Sequence, residues 1–90
     1  MRLDKYLKTS RLIKRRTVAT NMCWAGRVKK NGTIARPSAE VQPGDEVEID
    51  YGPRVLTVRV KLVQDSMPAQ LAHIMYEVVR EVRRPDPDLG

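Results

Sequence analysis

Apolar residues follow a helical period over the first part of the chain and an alternating one over much of the rest. Leu3, Tyr6 and Leu7 stand at i, i+3 and i+4, one face of a short helix. Asp4 falls in its first turn, where the helix dipole favours an anion. Thr9 and Ser10 end it, because their hydroxyls compete for backbone hydrogen bonds. Leu12 and Ile13 form an apolar step in a connector. A second helix from about Arg15 to Ala25 groups Val18, Ala19, Met22 and Cys23 on one face, with Arg16, Thr20, Trp24 and Arg27 opposite. Gly26 sits where a helix-ending residue of positive φ belongs. Lys14-Arg15-Arg16 offers no N-cap side chain and sets cations at the wrong end of the dipole. Those charges read as serving something other than the helix.

Past Gly26 the texture becomes that of strands. Residues 27–30 and 33–36 flank Asn31-Gly32, a strong short-range hairpin signal. Pro37-Ser38 ends the hairpin, and Pro43-Gly44-Asp45 makes a further turn. From Glu46 to Tyr51, Val47, Ile49 and Tyr51 alternate with Glu46, Glu48 and Asp50, the mark of a half-buried strand. Gly52-Pro53 turns the chain into a longer strand over 55–63. Residues 67–75 predict a short helix opened by Pro68. Val78 and Val79 tilt residues 76–82 towards a strand. Residues 83–90, with two prolines, are expected to form a disordered tail after a single domain over 1–82. Helices followed by short antiparallel strands give an α+β fold, two helices on a small antiparallel sheet with extra C-terminal strands.

Ninety residues leave room for one domain with a thin core. No apolar run approaches the roughly 20 residues of a membrane span. Met1 leads straight into Arg2 and a polar helical pattern, so no signal peptide is expected. Cys23 alone can form neither an internal disulfide nor a zinc site. The chain reads as cytoplasmic, metal-free and without a cofactor. The net charge of +6 conceals a segregation: residues 1–36 hold 11 basic side chains against Asp4 alone, whereas residues 37–90 hold 6 basic and 10 acidic ones. Local balances of +10 and −4 point to a polyanion partner for the N-terminal half.

Catalytic chemistry finds little support. His73, the only histidine, lies far along the chain from Cys23, and Cys23 falls on an apolar helix face as a small buried thiol would. The glycines mark turns, not a phosphate loop. The carboxylates between Glu46 and Asp50 line a solvated face with nothing to shift a pKa. No enzyme is expected. The cations are different. Arg2, Lys5 and Lys8 repeat every third residue, Arg11, Lys14, Arg15 and Arg16 follow, and Arg27, Lys29 and Lys30 sit at the helix-to-strand junction. With hardly an acid among them, they form a candidate nucleic-acid surface. Trp24, beside arginines, suits stacking on an unpaired base; packing against the hairpin or the connector is the alternative.

The order of these elements resembles a known family. Arg2-Leu3-Asp4-x-x-Leu7, then Arg16 and Ala19, then Gly26-Arg27-Val28-x-x-Asn31-Gly32, then Pro37-Ser38-x-x-Val41-x-Pro43-Gly44-Asp45 are similar to the RNA-binding domain named after small-subunit ribosomal protein four, the S4 domain. Within it, the opening through Lys8, the stretch from Ser10 to Thr17 and the Met75-Tyr76 region look like the stand-alone RqcP-like members. Heat-shock-protein-fifteen-like members differ in a long basic C-terminal extension. The resemblance implies an S4 (αL) fold that grips large-subunit rRNA and peptidyl-site tRNA. It implies a monomer acting with RqcH on obstructed large subunits, where alanine is added to stalled nascent chains. Arg2 and Arg16 match the family's RNA-contacting arginines best, with Arg11 and Lys14 in the same strip. Asp4 is expected to order the first helix or pair with a nearby arginine. One departure is Arg15, where the family often has a small capping hydroxyl residue. Rescue of peptidyl-tRNA without tailing, an accessory domain of an RNA-modifying enzyme, and DNA binding are the alternatives.

Overall fold

A computed structural model describes residues 1–85 of the chain. Helix α1 (Leu3–Thr9) and helix α2 (Arg16–Trp24) lead into strands β1 (Val28–Lys30), β2 (Thr33–Ile34), β3 (Glu46–Asp50) and β4 (Arg54–Val60), a 3₁₀ helix (Ala69–Met75) and strand β5 (Tyr76–Arg83). The strands form one antiparallel sheet in the order β2-β1-β3-β4-β5. The architecture is α+β, with the helices packed on the sheet.

The helices form where the periodicity puts them, and their ends explain why. The residue before α1, Arg2, gives it no side-chain cap; the Leu3 N–H donates to the Ala39 carbonyl at 2.8 Å, and the Asp4 N–H to that of Pro37 at 3.1 Å. Chain from the 37–39 segment thus caps the first helix. Helix α2 ends in a paired closure, with the Gly26 N–H on the Cys23 carbonyl (3.0 Å) and the Arg27 N–H on that of Met22 (3.0 Å), while Gly26 adopts φ +76°. That is the Schellman arrangement, for which glycine is suited because it has no Cβ to clash in the left-handed region. The buried strip of α2 differs from the expected one. It runs along Ala19 and Cys23, and Val18 faces solvent, because α2 is turned so that Thr20 meets α1.

The β1–β2 hairpin turns through Asn31 and Gly32, both at positive φ, as the sequence predicts. Asn31 also fastens this turn to the next one: its amide donates to Asp45 Oδ1 (3.1 Å) and accepts from the Glu46 N–H (2.9 Å). Val47 and Ile49 of β3 point into the core and Glu46, Glu48 and Asp50 do not, matching the alternation. Leu3, Tyr6 and Leu7 pack with Val28, Val47, Ile49, Val58, Val60 and Met75 in one core, and each such side chain buried contributes about 1.5–3 kcal/mol. Tyr6 reaches across it to donate to the Met75 carbonyl at 2.7 Å, tying the first helix to the last elements.

The short helix expected here forms as a 3₁₀ helix over residues 69–75, with Pro68 just before it as an extended residue. One element departs from expectation. Arg83, assigned by the sequence to a tail, closes β5, and Arg84 is held by Asp50 through contacts of 2.7 and 2.9 Å. The remainder of the expected tail, residues 86–90, lies outside the described residues.

Candidate nucleic-acid interface

The centre of the basic surface is a carboxylate. Asp4 is 2 % exposed and sits where α1 meets α2. Its Oδ1 accepts from Arg2 Nε (3.2 Å), Arg16 Nη2 (3.3 Å) and the Lys5 N–H (2.8 Å). Its Oδ2 accepts from Arg2 Nη2 at 3.1 Å. The Thr20 hydroxyl lies 3.2 Å from Oδ2 and 3.0 Å from the Arg16 carbonyl, with one proton to donate. Burial pushes the Asp4 carboxyl up. The Arg2 hydrogen bond, the Arg16 charge, the Lys5 N–H and the Thr20 hydroxyl outweigh it and hold the carboxyl below the usual carboxylate range. The guanidiniums it holds stay open to solvent, with side chains 52 % exposed at Arg2 and 47 % at Arg16.

Around this pair the α1–α2 connector gathers cations. Lys8, Arg11, Lys14 and Arg15 make no ion pair among the described residues, and all but the half-buried Lys8 are exposed. Arg11 follows the end of α1 at φ +64°, donating its N–H to the Lys8 carbonyl (3.0 Å). A side chain in this left-handed position costs roughly 1 kcal/mol, which glycine would avoid. Arg15 precedes α2 without giving it a side-chain cap, and the first turn of α2 has no acid. Cations and uncapped N–H groups thus share one surface, which attracts anions.

The other expected cations are placed differently. Lys5 is paired with Asp65 at 3.0 Å. Lys29 alternates to the face of the sheet that carries Glu48, 3.7 Å away, and so lies apart from the helix cluster. Lys30 donates to the Glu40 carbonyl at 2.9 Å. Arg27 is exposed beyond the end of α2. Trp24, the last residue of α2, is 66 % exposed and stands out from the core. Arg36, left out of the expected set, is exposed, makes no ion pair among the described residues, and lines a shallow groove of about 290 Å³ with Lys30, Thr33, Ile34 and Ser38. The sequence signal for it was its membership of the basic first 36 residues.

Competing chemistries have little to work with. Cys23 is buried, and that burial, with the Asp4 charge, pushes its thiol up to about 11, far from a reactive thiolate. Among the described residues no three His, Cys, Asp or Glu side chains are grouped to hold a metal ion, and no helix is long and apolar enough to cross a membrane.

Residues 1–47 match the family model described as "S4 domain". The chain belongs to the S4 domain family. The matched span covers α1, α2, β1 and β2, the helical pair and the hairpin beside it. Its relatives extend the likeness over β4 and β5. The RQC P-site tRNA stabilizing factor of Listeria monocytogenes is 45% identical over 92% of this chain and 90% of its own. That of Streptococcus pneumoniae is 48% identical over 92% and 94%. Among solved structures, the trimeric Heat Shock Protein 15 of Vibrio cholerae superposes with a TM-score of 0.83 at 32% identity, over 88% of this S4 chain and 81% of that one.

Proposed function

We propose that this S4 domain protein is a non-catalytic, cytoplasmic, ribosome-associated quality-control factor that holds RNA through its helical layer. The observation that carries the reading is the pair of half-exposed guanidiniums fixed on buried Asp4, together with Lys8, Arg11, Lys14 and Arg15 of α1 and the connector, which make no ion pair among the described residues. RNA duplexes hide their base edges in a deep groove and are met mainly through phosphate and 2′-hydroxyl contacts, which suit such a surface. The names of the relatives favour P-site tRNA as the RNA, and the large-subunit rRNA beside it is the second RNA on this reading. On this reading the protein binds obstructed large subunits as a monomer. It steadies peptidyl-tRNA while RqcH supports alanine tailing, and peptide-bond chemistry stays with the ribosome.

The test is co-sedimentation of the purified protein with large subunits that carry peptidyl-tRNA, against empty ones. Preferential binding to the loaded subunits is expected, and loss of it in Arg16→Ala and Arg2→Ala with the fold intact. Equal sedimentation of both variants and wild type would remove this surface from consideration. A second reading, rescue of peptidyl-tRNA without tailing, is favoured by the likeness to Heat Shock Protein 15. A reconstituted tailing reaction with and without RqcH separates the two.

A further inference from the structure

We infer that Asp4 is a positioning residue for RNA, an anion kept inside a cationic surface because it aims the two arginines. The inference rests on the proposed RNA-binding role and adds to it a determinant of specificity. Asp4 is the only acid in the first 36 residues, among 11 cations. On charge counting alone it opposes a polyanion partner. Yet it is buried, and both its oxygens are engaged by Arg2, Arg16, Lys5 and Thr20. Arg2 spends its Nε and one Nη2 hydrogen on Asp4, which leaves the Nη1 end of the fork free. Arg16 spends only one Nη2 hydrogen, leaving Nε and Nη1 free. Two planar donors, one from the residue before α1 and one from the first residue of α2, are therefore held on one carboxylate, each with an open edge for a phosphate oxygen. Because the rotamers are ordered before RNA arrives, binding does not bear that ordering cost.

Charge counting and positioning predict opposite signs for one substitution. Asp4→Asn keeps the side-chain shape and removes the only negative charge in the cluster. Charge counting predicts tighter binding to every polyanion. Positioning predicts about tenfold weaker binding to large ribosomal subunits, since two long side chains must then be ordered on binding. It also predicts unchanged or tighter binding to heparin, a flexible polyanion with no fixed phosphate spacing. Both are measured below the melting range of each protein, which circular dichroism defines. Arg16→Lys is a companion at a half-exposed site, where folding is not at stake. It keeps the charge and loses the fork, and a several-fold weaker grip on large subunits is expected with no change on heparin. Asp4→Asn binding large subunits as tightly as wild type, or losing subunits and heparin in equal measure, overturns the inference. So does an unaffected Arg16→Lys. Wild-type protein that ignores large subunits overturns the underlying RNA-binding role instead, and the wild-type arm alone reveals that.

Discussion

Arg15→Ala and Lys29→Ala each remove one unit from a net charge of +6, yet they should change RNA binding differently. Arg15 stands exposed at the start of α2 beside Lys14 and Arg16, caps nothing with its side chain, and can be truncated without loss of the fold. Lys29 points to the other face of the sheet and is paired with Glu48 at 3.7 Å. The helical layer offers Arg2, Lys8, Arg11, Lys14, Arg15 and Arg16 as contacts. If each meets one phosphate, at about 0.9 in the slope of log K against log salt, the total slope is about −5. Binding should then weaken roughly a thousandfold between about 50 and 200 mM salt. Losing one contact lowers the slope by about 0.9, and near 0.1 M salt that amounts to about eightfold in affinity. Lys29→Ala should leave the slope unchanged and the affinity within about twofold, because a charge a sheet's thickness away is largely screened at about 10 Å. The assay is a titration of labelled RNA by fluorescence anisotropy at four salt concentrations. Equal changes of slope in the two variants would refute the reasoning, since net charge and not the helical surface would then govern binding.

Further outcomes follow from particular contacts. Tyr6→Phe should cost about 1 kcal/mol in urea unfolding, at the modest end because the Met75 carbonyl also accepts the Lys61 and Leu62 N–H groups. Burial raises the Tyr6 phenol above its ordinary 10.0, so its contribution is complete below pH 10 and falls above it as the unfolded chain ionises first; Tyr6→Phe should shrink that alkaline loss. Gly26→Ala should lower stability by about 1 kcal/mol and the melting temperature by about 5 °C, and the cause is backbone alone, because the new Cβ would lie an ordinary 3.7 Å from Ile34 Cδ1. Asp4 and Asp45 carboxyls are both held below 3.8, so their stabilisation is present above that pH and is lost as pH falls through their folded values; Asp4→Asn should flatten the acid limb of a stability profile. Trp24, the only tryptophan, should emit as an exposed indole and become shielded from acrylamide when RNA binds; unchanged quenching would count against base stacking.

What could be read from the sequence was what depends on near neighbours. Helix α1, the Asn31-Gly32 turn, the Gly26 closure and the alternation of β3 each rest on a few consecutive residues, and each appears where periodicity or turn chemistry puts it. The misreadings come from long-range packing. Helix α2 is turned by the Thr20–Asp4 contact across 16 residues, so Val18 faces water although it belongs to the apolar side of the wheel. Arg83 and Arg84 are ordered by β4 and by Asp50, partners that a proline-rich stretch does not reveal. The same limit applies to the site. Composition marks every cation in the first 36 residues alike. Only the register of β1 against β3 takes Lys29 to the far face, and only the meeting of the helices makes Asp4 the shared anchor of Arg2 and Arg16.

Charge segregation along the chain becomes segregation in space through pairing. The carboxylates of the sheet are spent on the sheet's own cations: Glu46 on Arg59, Glu77 on Arg59 and Lys61, Glu81 on Arg54 and Arg83, Asp50 on Arg84, Glu48 on Lys29. Exposed pairs of this kind contribute about 0–1 kcal/mol each, so their larger consequence is electrostatic. They leave the sheet close to neutral at short range. Asp4 is the one carboxylate of the two helices, Asp65 from the segment after β4 reaches Lys5, and Lys8, Arg11, Lys14 and Arg15 make no ion pair among the described residues. A polyanion approaching from any direction therefore meets its attraction on one side. On the proposed RNA-binding role, encounter would be oriented before contact, and the Asp4-held arginines would receive the partner that the field delivers.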